Sequence, residues 1–303
     1  MSMKPLISVV IPTYNDAHHL KRSVGSVLSQ SYSNFEVIVV DNSSLDNTKA
    51  VLDAFKDERI KYFLINNKGS IAASRNLGIR NASGSWVAFL DSDDFWYKDK
   101  LTAMFCSDFC SENFEAISHN VLTVDVNGDE LRKMVCGPFT DTFYYDLLFT
   151  GNRCSTSAMV VKSSFLRANK LKFNESADFI TVEDYGLWLD MANLGAKFKF
   201  INQALSEYLV HENNNSSKVQ FHFENCRNLL RHHVFTVSEF PDEADKLWKA
   251  IETRLKMQMA IAYFRQGQYL SAFYFFGYGV CISPKYFTTF LLSKYHRRLK
   301  AKH

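Results

Sequence analysis

The chain has 303 residues, enough to bury a full core and carry an appendage, and its 47% hydrophobic and 22% charged residues are ordinary for a soluble globular protein. The net charge of +3 hides an asymmetry, because residues 253–303 hold nine Lys or Arg and no Asp or Glu, which leaves the first 252 residues at −6. An acidic body with a basic, aromatic-rich end excludes a general nucleic-acid binder and is compatible with an anionic membrane surface.

Residues 7–11 read as a buried strand, and 17–30 has helical spacing with Leu20, Val24, Val27 and Leu28 on one side. Residues 35–40, 60–65 and 86–90 are further apolar strands, with helices expected over 46–55 and 71–80. Strands apolar on both faces that alternate with amphipathic helices predict an α/β fold with a mostly parallel central sheet covered on both sides. In such sheets ligands bind beyond the carboxyl ends of the strands, where Tyr14, Asp41, Asn67 and Asp91 fall. After Leu101 the rhythm changes. The expectations are a helix to about Asn113, a strand over 116–126 ending in the turn Asn127-Gly128-Asp129, and a strand over 157–161. A helix over 181–194 begins with Glu183 and Asp184, and a strand over 205–211 precedes the polar run 213–217. From Phe221 onward the chain reads as wholly helical, which divides a main domain, 1–215, from a C-terminal helical region, 216–303.

Six cysteines without C-x-x-C spacing indicate neither a zinc site nor a disulfide scaffold, so reduced thiols in the cytoplasm are expected. The apolar run 6–11 is stopped by Pro12, too short for a cleavable signal. The uncharged stretch 266–284 reaches the length of a membrane span but contains Gly267, Gly277, Gly279 and Pro284, and reads as packed helices. Most of the aromatics of 257–303 are expected to pack in a helical hairpin against the main domain. The last segment, 294–302, has five basic residues among nine, each worth roughly 1 kcal/mol near an anionic bilayer.

The tetrapeptide Asp91-Ser92-Asp93-Asp94 follows the apolar run 86–90 directly. In extended backbone, residues two apart point to the same side, so Asp91 and Asp93 can close on one hard cation such as Mg²⁺ or Mn²⁺. The ion removes their repulsion and offers open positions to a diphosphate. The alternative is that Asp93 or Asp94 caps a helix beginning near Tyr97. Tyr14 offers an aromatic face to a planar base, or is a core tyrosine. Asp41 and Asn42 can accept from a pyrimidine N–H or hold a ribose hydroxyl. Arg75 offers fixed donors to a phosphate or to a carboxylate of the Asp91 cluster. Glu183 and Asp184 are an acid–base candidate pair, or acids that favour a helix start through its dipole. Lys68, His18, His19, His232 and His233 read as surface residues.

Several segments occur in a telling order: Val9-Val10-Ile11-Pro12-Thr13-Tyr14-Asn15, Val37-Ile38-Val39-Val40-Asp41-Asn42-Ser43-Ser44-Leu45-Asp46, Asn67-Lys68-Gly69-Ser70, Ser74-Arg75-Asn76-Leu77-Gly78 and Leu90-Asp91-Ser92-Asp93-Asp94. Over residues 5–215 this order resembles the inverting glycosyltransferase family 2, and Glu183-Asp184-Tyr185 followed by Trp188 is similar to that family's acceptor-side motif. The resemblance implies a GT-A fold with a C-terminal helical extension. It also implies metal-dependent transfer of one sugar, a hexosyl or hexosaminyl group, from a nucleotide-diphosphate sugar, first of all a UDP-sugar, to a saccharide hydroxyl. Pro12, Tyr14, Asp41, Asn42, Asn67, Arg75, Asp91 and Ser92 would then meet the donor nucleotide. Asp93 and Asp91, with His211, would hold Mn²⁺ or Mg²⁺. Asp184 would act as the base while Glu183 places the acceptor. The family often has two adjacent aspartates where this chain has Asp41-Asn42, which leaves the base open. The setting the resemblance suggests is bacterial surface polysaccharide or O-antigen assembly on undecaprenyl diphosphate, at the inner face of the plasma membrane. A nucleotidyltransferase is the rival enzyme, but no Gly-rich phosphate loop follows the first strand. A non-catalytic sugar-nucleotide binding module would be expected to have lost the carboxylates retained here.

Overall fold

A computed structural model describes residues 4–105, 113–211, 218–237 and 243–300, with side chains as far as 292. Cys106, Cys110, the end of the helix expected to reach Asn113, the polar run 213–217 and the basic side chains of 294–302 lie outside the described residues.

The first four strands are β1 (Ile7–Thr13), β2 (Phe35–Asp41), β3 (Ile60–Leu64) and β4 (Trp86–Phe89), all parallel, in the order β3-β2-β1-β4. Every residue of β1 and β2 is buried, as the apolar runs 9–11 and 37–40 require of strands covered on both faces, and the polar Ser8 and Glu36 satisfy each other with a hydrogen bond of 2.5 Å. Three helices connect them: α1 (Ala17–Leu28), α2 (Thr48–Asp53) and α3 (Ile71–Arg80). Helix α3 lies so close to β1 that a Cβ at Gly78 would come within 2.3 Å of Val10 Cγ1, so only glycine allows this approach. Pro12, without an N–H, sits past Val10, the last β1 residue paired with β4.

The second half of the sheet is mixed. It is built from β5 (Phe95–Trp96), β6 (Ala116–Val124), β7 (Glu130–Met134), β8 (Val160–Lys162) and β9 (Phe198–Leu209). The strand β8 joins β4 antiparallel, β6 joins β8 antiparallel, β9 runs parallel to β6, β5 closes the edge against β9, and β7 pairs with β6. Shorter helices lie between these strands: α4 (Lys100–Met104), α5 (Phe143–Thr150), α6 (Ser163–Ala168) and α7 (Glu183–Asn193). Three expectations need correction here. No helix begins near Tyr97, because Phe95 and Trp96 pair with β9 and α4 starts only at Lys100. Residues 156–158 form a 3₁₀ turn, and the strand expected over 157–161 is the short β8. The last strand begins at Phe198 rather than Leu205, because it pairs along the whole of β6.

The chain divides into two compact units, 1–143 with 152–175 and 183–212, and 144–151 with 176–182 and 213–303. The first holds the sheet. The second contains α8 (Val219–His232), α9 (Ala244–Arg265), α10 (Tyr269–Ile282) and α11 (Pro284–Lys300), with Val219, Met259, Tyr263 and Ala272 at its core. Among the described residues no helix is long and apolar enough to cross a membrane. The expectation that the aromatics of this region pack inward fails for most of α10, where Tyr269, Phe273, Tyr274, Phe276 and Tyr278 are exposed and only Ala272 and Gly279 are fully buried. Contact with α9 is made through these small residues, Gly279 lying against Met257, and through Phe275, which stacks on Tyr263 at 5.5 Å, while most of the other rings remain outside.

Candidate active site

The carboxyl ends of the parallel strands present the first group of side chains. Tyr14 follows β1 and is 58% exposed, so it is not a core tyrosine and its ring is open to a planar partner. Asp41, the last residue of β2, is buried, and its Oδ1 accepts from the Ser44 N–H at 2.9 Å and the Ser44 hydroxyl at 2.5 Å. Its Oδ2 accepts from the Tyr62 hydroxyl at 2.7 Å. Asn42 Oδ1 accepts from the Asn67 N–H at 3.0 Å and so ties the β2 end to the loop after β3. Asn67 in turn donates from Nδ2 to Ser70 O and Ser74 Oγ, both at 2.8 Å, and shapes a loop in which Lys68 and Gly69 take positive φ. Asp46 ties two helix starts together, accepting from the Ala17 N–H at 2.9 Å and the Thr48 N–H at 3.0 Å.

The acidic tetrapeptide does not continue β4. The Asp94 N–H donates to Asp91 O at 3.1 Å, so 91–94 is a turn, and the rule that residues two apart share a side does not apply to it. Asp94 is no helix cap either. It is buried, accepts from the Ser157 hydroxyl and from the Leu209 N–H at 3.3 Å, and its carboxyl is pushed well above the usual range by burial and by Asp93 and Asp91. Ser157 is central to the turn: its Oγ also accepts from the Asp91 N–H at 3.1 Å. Its carbonyl accepts from Trp96 Nε1 at 2.8 Å and from Lys100 Nζ at 2.7 Å. Lys100 is fully buried, which pushes its amine well below the usual range, although the charge of Asp94 opposes this.

Three side chains of the turn face different partners. Asp91 Oδ1 accepts from Arg75 at 2.6 Å, Ser92 Oγ donates to Asp16 Oδ2 at 2.7 Å, and Asp93 Oδ2 lies 2.9 Å from His211 Nε2. Burial raises the Asp93 carboxyl, the Asp91 charge adds to this, and His211 opposes it. Among the described residues no group of three or more His, Cys, Asp or Glu is gathered as a ready metal set. The donor types nevertheless fit Mn²⁺ or Mg²⁺, with Asp91 and Asp93 supplying hard oxygens and His211 a ring nitrogen beside Asp93.

The start of α7 provides the acid pair. Glu183 is buried and its Oε1 accepts from Arg75 at 2.7 Å, while its Oε2 has no hydrogen-bond partner. Burial raises the Glu183 carboxyl, Arg75 opposes this, and Asp184 adds to it. Asp184 is half-buried. Its Oδ1 accepts from the Tyr185 N–H at 2.6 Å, and its Oδ2 from the Thr156 hydroxyl at 2.8 Å and Asn152 Nδ2 at 3.3 Å. Burial raises its carboxyl too, against the nearby Arg75 charge. Arg75 therefore spends both terminal nitrogens on carboxylates. It bridges the acidic turn to the start of α7 and packs over the Phe173 ring at 5.3 Å.

Several residues of the site carry no motif in the sequence. His19, expected on the surface, stacks on the His211 ring at 5.7 Å between centroids and bonds Asp16 Oδ1 at 2.6 Å. Ser157, Thr156, Asn152 and Lys100 are equally silent in one dimension. Only the third carboxylate, Asp94, could have been noticed beforehand, as one acid more than a cation pair needs.

The parallel strands ending in this rim, the mixed second half of the sheet and the C-terminal helices make up an α/β fold of the GT-A type. The mannosyltransferase PcManGT from Pyrobaculum calidifontis, solved with GDP-Man and Mn²⁺, has the same fold at a TM-score of 0.62, with 16% identity over 98% of this chain and 81% of that one. The model of the Glycosyl transferase family 2 matches residues 8–167, more than half of the sequence, and this chain belongs to that family. Among curated proteins it is 32% identical to the putative teichuronic acid biosynthesis glycosyltransferase TuaG of Bacillus subtilis, over 71% of this chain and 82% of TuaG. It is 34% identical to WfgD of Escherichia coli, a UDP-Glc:alpha-D-GlcNAc-diphosphoundecaprenol beta-1,3-glucosyltransferase, over 61% of this chain and 69% of WfgD.

Proposed function

We propose that this glycosyltransferase moves one hexosyl or hexosaminyl group, with inversion, from a UDP-sugar to a saccharide hydroxyl on an undecaprenyl-diphosphate-linked intermediate of a surface polysaccharide. The observation that carries the reading is the Arg75 bridge, which holds the acidic turn and the Glu183-Asp184 pair in one fixed relation. The donor and acceptor classes are those in the name of WfgD, the relative of higher identity; the GDP-Man of PcManGT belongs to a protein only 16% identical.

In this reading Tyr14 stacks on the base, and Pro12, Asp41, Asn42 and Asn67 shape the nucleoside pocket largely through the loops they tie. Arg75 and Ser92 hold the turn that faces the diphosphate, Arg75 through Asp91 and Ser92 through Asp16. Asp93, Asp91 and His211 would hold a divalent ion, whose chemistry is to neutralise charge on the departing diphosphate. Asp184 takes the proton of the acceptor hydroxyl as its oxygen attacks the anomeric carbon and the bond to the β-phosphate breaks. Asp184, not Glu183, suits that task because Glu183 is buried against Arg75 while Asp184 keeps some exposure.

The deciding experiment is a panel of nucleotide sugars offered to the purified protein with and without Mn²⁺ or Mg²⁺, read as release of nucleotide diphosphate. Release from no donor would reject the reading. Asp93→Ala should abolish metal-stimulated release with little change in melting temperature, and full activity in excess chelator would remove the metal from the scheme. Asn42→Asp keeps an oxygen for the Asn67 N–H, so the loop should persist while the selectivity between UDP and GDP changes. Unchanged selectivity by calorimetry would put Asn42 outside the base pocket.

A further inference from the structure

Helix α10 carries its apolar side outward. Its fourteen residues include no charged group, yet Leu270 is 89%, Phe273 71% and Tyr274 65% exposed, and Tyr269, Phe276 and Tyr278 are exposed as well. Positions 269, 270, 273, 274 and 277 share one side of a helix, and the opposite side carries the small residues that meet α9. Isolated exposed apolar residues need no account, but a contiguous patch marks an interaction surface.

From residue 253 onward the chain carries charge of one sign only, the nearest acids to Lys256 being Glu252 and Glu224. Lys256 Nζ lies 5.3 Å from the Phe275 ring centroid and 5.2 Å from that of Tyr278. Arg265 and Lys285 are exposed just beyond the two ends of α10, and residues 253–303 contain no Asp or Glu. Fourteen residues make a helix of about 21 Å, too short for the roughly 30 Å hydrocarbon core of a bilayer.

We propose that the outward face of α10 is a membrane-docking surface, lying in the headgroup region of an anionic bilayer with Leu270, Phe273 and Tyr274 directed into it. The tyrosines suit this level, with apolar rings and hydroxyls that reach water, and Arg265 and Lys285 meet lipid phosphates. A second copy of the chain fits less well, because two such faces would bring Arg265 and Lys285 of each copy together and residues 253–303 supply no Asp or Glu to pair them. The proposal does not depend on the identity of donor or acceptor, so it stands or fails apart from the proposed reaction.

The full chain should co-sediment with phosphatidylcholine vesicles containing phosphatidylglycerol, and part of this binding should survive about 1 M salt, because apolar insertion is not screened. The combined variant Leu270→Ser, Phe273→Ser, Tyr274→Ser should lower the salt-resistant part by about tenfold or more, while sparing turnover of a water-soluble acceptor. Phe273→Trp supplies an independent readout, since brominated acyl chains should quench its added fluorescence. Wild-type protein that ignores the vesicles, undiminished salt-resistant binding by the combined variant, or an unquenched Trp at 273 would each overturn the proposal. So would a concentration-dependent dimer, abolished by the same substitutions, in a protein that does not bind vesicles.

Discussion

Asp184→Asn is expected to slow sugar transfer by at least about a hundredfold while leaving donor affinity nearly intact, the lower end of what positioned proton transfer contributes. The substitution preserves shape and removes basicity. Its cost to the fold should be small: an amide oxygen at Oδ1 still accepts from the Tyr185 N–H, and the Thr156 hydroxyl can turn to accept instead of donate. Asn152 is the less tolerant neighbour, because its Oδ1 already accepts from the Cys154 N–H and its Nδ2 would meet a second amide donor. A stability loss of about 1 kcal/mol is therefore expected, the ordinary value of one hydrogen bond. If Asp184 served only to satisfy the start of α7, Asn would do so equally well and turnover would not change. Turnover, donor binding and melting temperature on this variant separate the two roles, and wild-type turnover would end the case for Asp184 as base.

Arg75→Met should destabilise the protein by about 3–5 kcal/mol, the usual result of removing one member of a buried ion pair. The loss comes less from the attraction that disappears than from Glu183, left buried with neither oxygen paired, and from Asp91, left beside Asp93 and Asp94. The cost should depend on pH in a definite direction. Burial already raises the Glu183 carboxyl, and loss of the Arg75 charge, which opposes that rise, lifts it further. A carboxyl with a folded pKa above its unfolded one binds more protons when folded, so the variant gains stability as pH falls. The gap to wild type, measured by urea denaturation, should thus narrow from neutral toward acidic pH. A constant gap would mean that Glu183 is not the group left exposed to the loss.

The first half of the fold was legible because its signal is local. Strands buried on both faces are largely apolar, which makes β1, β2 and β4 visible as runs, and α3 is bounded by its own cap, Ser70, whose hydroxyl accepts from the Ala73 N–H at 3.3 Å. The second half was less legible because its strands are specified by partners. Residues 95–96 become a strand only because β9 is beside them, and β9 reaches back to Phe198 only because β6 is there to pair with.

By itself the sequence determined the α/β alternation, the carboxyl-end positions of Tyr14, Asp41 and Asp91, and the order of motifs that marks the family. These depend on side-chain period and on residues close together in the chain. Only the tertiary structure decided that Arg75 joins Asp91 to Glu183, which lies 108 residues beyond Arg75, and that Ser157 holds the acidic turn in place of a helix cap. It also decided that most of the aromatics of α10 face outward. Periodicity reports which side chains share a face, but burial depends on which face finds a neighbour, and in α10 the face of Ala272, Phe275 and Gly279 found α9.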